Sequence, residues 1–317
     1  MYIMTTNIGK AHGKIILMGE HAVVYGEPSI ALPFPAVEMI ASVSAYEGPV
    51  RLDCSYYHGI ADDMPEILQS LKKAIELALE SLKQPYENLA INIESAIPPE
   101  RGMGSSAAVA VAVTRAIYNY FNADLDHGRL MHMVNISEKI AHGNPSGLDA
   151  LTTSSLSPVY YRKGADIIPF SLKMDAYLVV GDTGVTGQTK EAVQSIADRI
   201  EKEAQPISRE KIALLGKLAN HAKGFLERNE AKELGEAMNQ AHLLLAELGV
   251  SNKELDNLVS AAREAGALGA KLTGGGRGGC MIALANNQSE TEKIRLALLN
   301  AGAVTTWMTS LNQEEGL

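Results

Sequence analysis

The segment PPERGMGSSAAVAVAVTRAI, residues 98–117, decides the fold assignment because it joins a glycine- and serine-containing turn directly to an apolar helix. No acidic residue stands at the predicted start of that helix, Ala107, although carboxylates are favoured there. One serine is enough to cap a helix, so a cap explains neither Gly102 nor Gly104. Glycines let a backbone approach a ligand, and the free N–H groups of a helix start attract anions. The segment indicates either a capped turn or a phosphate site, and it is not a Walker A loop.

The segments around this turn predict a mixed pattern of strands and helices. The strand NLAINIES leads into the turn, and a second helix over 126–142 ends at Gly143-Asn144-Pro145. The order of elements is α+β rather than a strict alternation, with a domain boundary that divides the chain into 1–165 and 166–317. The other expected elements are a strand–turn–strand at 14–24, a helix at 65–84, a buried strand in 175–183, helices at 188–204, 208–228, 231–248, 252–265 and 289–301, and a strand at 303–309.

Length and composition are those of an ordinary globular protein. The 317 residues suffice for two domains, and 46 % hydrophobic and 21 % charged residues are average values. The net charge of −9 argues against nucleic acid as a partner, because binding nucleic acid needs a basic face. An acidic chain still binds an anion where a few cations and backbone N–H groups meet in one cleft.

The two cysteines and the N-terminal segment indicate a cytoplasmic protein. Cys54 and Cys280 form no C-x-x-C pair, so we expect two reduced thiols in a reducing compartment. The N-terminal residues lack the apolar core of a signal peptide, and the run IILMG is too short to cross a bilayer. No membrane partner is expected.

Two further segments contain glycine between apolar runs. GKIILMGEHAVVYG, residues 13–26, is either a hairpin with Lys14 on the surface and His21 in a satisfied pocket, or a turn that directs Glu20 and His21 into a cleft. KLTGGGRGGC, residues 271–280, has more glycines than a hairpin requires. It is either a flexible connection or a loop that closes over a ligand or buttresses the phosphate loop, with Arg277 facing phosphate or solvent.

The segment SEKIAHGNPSGLDALT, residues 137–152, carries the remaining charged candidates. Glu138 and His142 share a helical face, but no third ligand stands nearby for zinc. Asp149 follows a Pro-Ser-Gly turn that can fold it back toward Glu138. Each carboxylate can be read as a surface residue or a cap. Two carboxylates, a cation and a phosphate loop are also the groups that Mg²⁺-assisted phosphoryl transfer requires.

Taken in order along the chain, these motifs resemble those of the GHMP small-molecule kinases. The P-x-x-x-G-L-G-S-S-A-A nucleotide motif of that superfamily is matched from Pro98 onward, with Met103 in place of leucine. GEHAVVYG and HGNPSGLD are similar to the mevalonate kinase branch and unlike galactokinases, homoserine kinases or diphosphomevalonate decarboxylases. The resemblance implies a ribosomal protein S5 domain 2-like N-terminal domain, a ferredoxin-like C-terminal domain and an active site between them.

The same resemblance implies Mg-ATP-dependent phosphorylation of the primary hydroxyl of mevalonate in isoprenoid biosynthesis. Asp149 matches the catalytic base, and Lys14 matches the lysine that holds that aspartate ionised. Ser106 and Glu138 match the Mg²⁺ ligands. The implied ATP contacts are Pro98, Pro99, Glu100, Arg101, Gly102, Met103, Gly104, Ser105, Ser106, Ala107 and Ala108. The implied substrate contacts are Glu20, His21, Thr189 and Lys190.

Two departures from the family pattern and two rival functions remain open. His12 stands where many relatives have proline, and Arg277 interrupts a loop that is otherwise of small residues. A phosphomevalonate kinase would need extra Lys or Arg for its more anionic acceptor. A non-catalytic metabolite sensor could dispense with its base or its metal ligands, whereas Lys14, Glu138 and Asp149 are all present. Residues 54–58 are a candidate adenine pocket, and a homodimer is an open expectation.

Overall fold

The computed structural model describes residues 7–143, 147–164, 168–170 and 172–312. Asn144, Pro145 and Ser146 of the HGNPSGLD motif lie outside the described residues, and so does the predicted domain boundary at residues 165 and 166. That boundary therefore stays a prediction.

The described residues form eleven strands and nine α-helices. The strands are β1 (Ile8–Met18), β2 (Pro28–Pro49), β3 (Arg51–Cys54), β4 (Tyr57–Ile60), β5 (Glu87–Ser95), β6 (Val159–Arg162), β7 (Ile168–Pro169), β8 (Tyr177–Asp182), β9 (Gly269–Thr273), β10 (Cys280–Ala285) and β11 (Thr305–Ser310). The helices are α1 (Gln69–Ser81), α2 (Ser105–Tyr120), α3 (His127–His142), α4 (Leu148–Ser154), α5 (Thr189–Lys202), α6 (Ile207–Glu227), α7 (Ala231–Glu247), α8 (Lys253–Glu264) and α9 (Gln288–Asn300).

Elements with a clear apolar period are confirmed close to their predicted bounds. In α1 the buried side chains include Leu71, Ile75 and Leu79, which recur at the predicted helical spacing. Helix α3 begins after Asp126, whose side chain accepts a hydrogen bond from the Arg129 N–H. The predicted strand in 175–183 is β8, which is buried along nearly its whole length. Local periodicity therefore determines these elements.

The second strand predicted within 14–24 is wrong. Residues Ala22–Tyr25 form a 3-10 helix instead, although valine favours strands. His21 has a left-handed φ of 61°, and the Val24 N–H bonds to the His21 carbonyl at 3.2 Å. These turn hydrogen bonds hold residues 22–25 in a helical rather than an extended conformation. Extended backbone resumes at Pro28.

The 22-residue strand β2 has no counterpart in the sequence-based prediction. Pro33 and Pro35 lie within it, and proline normally argues against a strand because it lacks an N–H donor. The short strands β3, β4, β6 and β7 and the seven-residue helix α4 are likewise absent from the prediction. Such short elements contain too few residues to display a period.

The chain divides into two compact units that do not follow a single cut along the sequence. Among the described residues, the first unit contains 7–14, 33–98, 104–143 and 147–156. The second contains 15–32, 99–103, 157–164, 168–170 and 172–312. Strands β1 and β2 and the glycine-serine turn therefore each run from one unit into the other.

In the first unit, a sheet carries a layer of helices. Strand β2 pairs antiparallel with β5 from Met39 to Ala45, β3 runs parallel to β5, and β4 pairs antiparallel with β3. Helix α1 packs against α2 and α3. Helix α2 is buried around most of its circumference, which fits its alanine- and valine-rich sequence.

In the second unit, four antiparallel strands form a sheet in the order β11-β8-β10-β9. Four helices connect β8 to β9, and α9 connects β10 to β11. Numbered within this sheet in chain order, the strand order is 4-1-3-2, which is the ferredoxin-like arrangement predicted for the C-terminal part. The first residues of β2 also pair with β6 in this unit.

Two simpler expectations concern cysteines and membrane spans. Cys54 and Cys280 are both free, as predicted, and the structure shows that both are buried. Burial raises the pKa of the Cys280 thiol. Among the helices of the described ranges, none combines the length and apolar character that crossing a bilayer requires.

Candidate active site

The start of helix α2 is open for an anion. Gly104 caps the helix with a left-handed φ of 75°, no side chain caps it, and its first turn contains no acidic residue. The serine cap considered from the sequence is therefore wrong, because Ser105 is already the first helical residue. The Ala108 N–H bonds to the Gly104 carbonyl at 2.9 Å. Ala107 and Ala108 are fully buried, so their methyl groups are not accessible to a ligand.

Gly104 is required by close packing as well as by its backbone angle. A Cβ at this position would lie 2.9 Å from Cγ of Lys14 and 3.1 Å from Cγ2 of Thr153. Both distances are shorter than an ordinary van der Waals contact. The helix start consequently lies directly against the Lys14 side chain.

Lys14 and Asp149 form an ion pair in the first unit. The Lys14 Nζ lies 3.1 Å from Oδ1 of Asp149. Lys14 comes from β1 and is buried, whereas Asp149 is the second residue of α4, after the left-handed cap Gly147, and its side chain is 39 % exposed. The carboxylate therefore has a fixed cation on one side while it stays reachable for a ligand.

A second polar pair adjoins the first. The Ser106 hydroxyl, in the first turn of α2, donates to Oε1 of Glu138 at 2.6 Å. Glu138 lies near the end of α3 and is only 3 % exposed. Burial raises the pKa of the Glu138 carboxyl, and the charge of Asp149 acts in the same direction. The Ser106 hydrogen bond and the nearby His142 and Lys14 side chains act against this increase.

The Ser106–Glu138 pair fits a magnesium ion. A hydroxyl and a carboxylate supply hard oxygen donors, and a nearby cation would offset the desolvation of the buried Glu138 carboxylate. The other carboxylate oxygen, Oε2, lies 3.7 Å from Nε2 of the exposed His142, which carries a charge only when it is protonated. No group of three metal-binding side chains occurs among the described residues. Two protein ligands suit Mg²⁺, which keeps several waters and binds substrate phosphates.

In the second unit, Glu20 and His21 belong to a buried network. Glu20 forms an ion pair with Lys271 of β9, which is fully buried and also donates to the Leu272 carbonyl at 2.6 Å. The His21 Nε2 lies 3.0 Å from the Gly275 carbonyl. The other ring nitrogen, Nδ1, is buried and has no hydrogen-bond partner among the described residues.

His21 should make the stability of the protein depend on pH. Burial lowers the pKa of His21 from 6.5 to about 4. As the pH falls below 6.5, the His21 imidazole becomes protonated in the unfolded chain. In the folded protein it stays neutral down to about pH 4. The contribution of His21 to the free energy of unfolding is therefore lost as the pH falls through this window, by about 3 kcal/mol at pH 4.

Urea denaturation of the wild type and of His21→Gln between pH 7 and pH 4 measures this loss. The variant should lose less stability over that range than the wild type. His127→Gln, at an exposed position in α3, is the control and should follow the wild type. Equal slopes for the wild type and His21→Gln would contradict the expectation.

The glycine-rich loop gathers further residues of the second unit. A Cβ on Gly275 would lie 1.9 Å from Oγ1 of Thr189, so this threonine and His21 both lie against Gly275. Lys190 is exposed. Arg277 donates to the Gly249 carbonyl at 3.1 Å and to the Ser195 hydroxyl at 2.7 Å. Its guanidinium is half-buried and tied to the protein rather than freely solvated.

The structure groups the predicted site residues within each unit. In the first unit it brings together Lys14, Ser106, Glu138 and Asp149, with Gly104 and Ser105 beside them. In the second unit, His21 and Thr189 both contact Gly275 of the glycine-rich loop, whereas Glu20 forms an ion pair with Lys271. Sequence reasoning missed Lys271 and Asp182, the partner of Arg101. Lys271 begins the quoted third motif, but nothing in its neighbours indicates a buried cation.

Comparisons with known proteins show the family to which the chain belongs. The sequence family described as GHMP kinases N terminal domain matches residues 69–156, and the family described as GHMP kinases C terminal matches residues 222–304. The chain therefore belongs to the GHMP kinases and is an ATP-dependent kinase that acts on an alcohol. The fold class predicted from the sequence is confirmed.

Several similar proteins are named mevalonate kinase. A mevalonate kinase from Pyrococcus furiosus is 35 % identical, over 97 % of this chain and 96 % of the relative. The crystal structure of mevalonate kinase from methicillin-resistant Staphylococcus aureus is 35 % identical with a TM-score of 0.75, covering 96 % of this chain and 99 % of that one. The L. major mevalonate kinase in complex with R-mevalonate is 28 % identical with a TM-score of 0.81, covering 96 % and 95 %.

Proposed function

We propose that the chain transfers the γ-phosphoryl group of ATP to the primary hydroxyl of mevalonate, giving 5-phosphomevalonate in isoprenoid biosynthesis. The observation that carries the proposal is the Lys14–Asp149 pair, with 3.1 Å between Nζ and Oδ1, beside the open start of α2. A kinase that acts on an alcohol needs a base, a cation and a phosphate cradle, and these groups supply all three. The identity of the acceptor, mevalonate, is inferred from the relatives named mevalonate kinase.

In this mechanism Asp149 accepts the proton of the attacking hydroxyl. The half-exposed carboxylate is reachable from solvent, and the buried ammonium of Lys14 fixes its position. Lys14 also stabilises the negative charge of the transferring group, because its buried position leaves little water to screen it. The protein's contribution is mainly positioning and charge neutralisation.

The start of α2 binds phosphate oxygens through its backbone. The N–H groups of its first turn and the helix dipole favour an anion. A carboxylate at the cap would repel the nucleotide, which explains why Gly104 and two serines stand there. Ser106 and Glu138 would hold the Mg²⁺ that accompanies ATP, and the ion would neutralise phosphate charge.

Coupled measurement of ADP release with Mg-ATP tests the proposal. The acceptor panel is mevalonate, phosphomevalonate, homoserine and galactose, with a reaction lacking acceptor as the blank. Turnover on mevalonate alone supports the proposal. Turnover on another acceptor alone would overturn the substrate and leave the phosphate site intact, whereas ADP release with no acceptor would indicate simple hydrolysis.

Glu138→Gln should raise the Mg²⁺ concentration needed for half-maximal activity by at least about tenfold. The amide keeps the size of the carboxylate and can still accept the Ser106 hydrogen bond, but it lacks the charge that attracts the ion. A magnesium titration of activity measures the shift. Glu80→Gln, at an exposed position in α1, is the matched control. An unchanged magnesium dependence in Glu138→Gln would remove this residue from the metal site.

A further inference from the structure

Arg101 lies within the predicted ATP-binding segment, yet its side chain is engaged inside its own unit. Its Nε donates to Oδ1 of Asp182 at 2.9 Å, and one terminal nitrogen donates to the Gly184 carbonyl at 2.9 Å. The other terminal nitrogen lies 3.3 Å from the Thr186 hydroxyl. The last residue of β8 and two residues of the connection that follows it thus accept from a single guanidinium.

The partner carboxylate is a buried one. Asp182 is the last residue of β8, and its side chain is 6 % exposed against 15 % for Arg101. Its Oδ1 also accepts the Gly184 N–H at 2.8 Å. The charge of Arg101 is therefore balanced within the protein, and a phosphate would have to compete with a buried, well-oriented ion pair.

The backbone of residues 99–103 is fixed to the same unit. The Gly187 N–H donates to the Glu100 carbonyl at 2.9 Å. A Cβ on Gly279 would lie 3.0 Å from the Arg101 carbonyl oxygen, and one on Gly102 would lie 3.4 Å from Cα of Gly274. The glycine-rich loop therefore packs directly on this backbone, in agreement with the interpretation that it buttresses the phosphate loop.

We propose that Arg101 is a positioning residue for nucleotide binding and does not itself bind phosphate. Its guanidinium, held by Asp182, keeps residues 99–103 in the conformation from which the chain enters α2. This inference rests on the proposed nucleotide site. It adds Asp182 to the residues on which nucleotide affinity depends, although the Asp182 carboxylate has the same sign of charge as the ligand.

The test measures the dissociation constant of a fluorescent ADP analogue, without acceptor, in wild type, Arg101→Ala, Asp182→Asn and the double variant. Each single variant should raise the dissociation constant about tenfold, which corresponds to the loss of one charge-assisted hydrogen bond. The double variant should be no weaker than the single ones, because both changes break the same contact. With ATP as the varied substrate, KM should rise more than kcat falls.

Arg101→Lys keeps the test informative if Asp182→Asn does not fold. Lysine keeps the charge but cannot donate to Asp182, Gly184 and Thr186 together as the guanidinium does. If Arg101 acts by positioning, Arg101→Lys should lose most of the nucleotide affinity that Arg101→Ala loses. If Arg101 contacts phosphate directly, Arg101→Lys should bind nucleotide nearly as tightly as the wild type. Thr186→Val removes the longest of the three contacts and should have a smaller effect. Arg51→Ala, at an exposed position in β3, controls for the loss of an arginine.

Each result decides the inference. Weak binding by Arg101→Ala with wild-type binding by Asp182→Asn would show that Arg101 contacts phosphate, and the inference would fail. Wild-type affinity with a lowered melting temperature in both variants would reduce the contact to a structural one. If the wild type binds nucleotide but does not phosphorylate mevalonate, the acceptor is wrong and the positioning role stands. If the wild type binds no nucleotide, both proposals fail.

Discussion

Asp149→Asn should lower kcat for mevalonate phosphorylation by about 10² to 10⁴-fold, the usual contribution of a general base. The amide keeps the shape of the side chain and can still lie beside Lys14, but it cannot take up the hydroxyl proton. KM for ATP and for mevalonate should change little, because the lost interaction acts on proton transfer rather than on binding. Steady-state kinetics with each substrate varied in turn separates the two effects.

Asp124→Asn is the matched control for this variant, since Asp124 is exposed in the connection between α2 and α3. It should behave as the wild type. Near-full kcat in Asp149→Asn, with the protein folded by circular dichroism, would remove Asp149 from the mechanism. It would leave the Lys14–Asp149 pair as a purely structural contact.

Lys14→Met should lower kcat by about 10² to 10³-fold, comparable to the loss of one preorganised donor at a site of developing charge. Unlike Asp149→Asn, it should also raise KM for ATP, because the stem of the buried Lys14 side chain, which carries the ammonium, packs against the start of α2. Methionine is similar in length and keeps the apolar contact that the lysine stem makes with Gly104. The expected loss therefore reflects charge rather than packing.

The double variant Lys14→Met/Asp149→Asn tests whether the two residues act as one unit. Residues that share a single step give non-additive losses, so the double variant should be little worse than the more damaging single one. Lys232→Met, at an exposed position in α7, serves as the control. Unchanged kinetics in Lys14→Met would make Lys14 an ordinary buried lysine, and fully additive losses would separate the roles of the two residues.

Much of the secondary structure could be predicted from the sequence because its causes are local. The apolar spacing of α1 and the cap of α3 at Asp126 act within a few turns of chain. The errors have local causes as well. Ala22–Tyr25 closes as a 3-10 turn beside the left-handed His21, and the prolines within β2 conceal a long strand.

The candidate site was predictable where a short motif carries the chemistry. Glycines and serines before an apolar helix, with no carboxylate at its start, predict either a capped turn or an anion site. The structure shows no side-chain cap at the start of α2. By contrast, the predicted ATP contact of the Arg101 side chain could not be judged from the motif. Its engagement with Asp182 joins residues 81 positions apart in the chain.

By itself, the sequence determined the nucleotide motif, the family resemblance and the longer helices, since each depends on residues that are neighbours along the chain. The pairing of Lys14 with Asp149 was implied by the family resemblance. Only the tertiary structure decided that Lys14 is buried, that Glu20 forms an ion pair with Lys271, and that Arg101 donates to Asp182. The physical reason is that a charge is stabilised by whatever partner packing brings within a few ångströms. Periodicity and spacing carry no information about such distant partners.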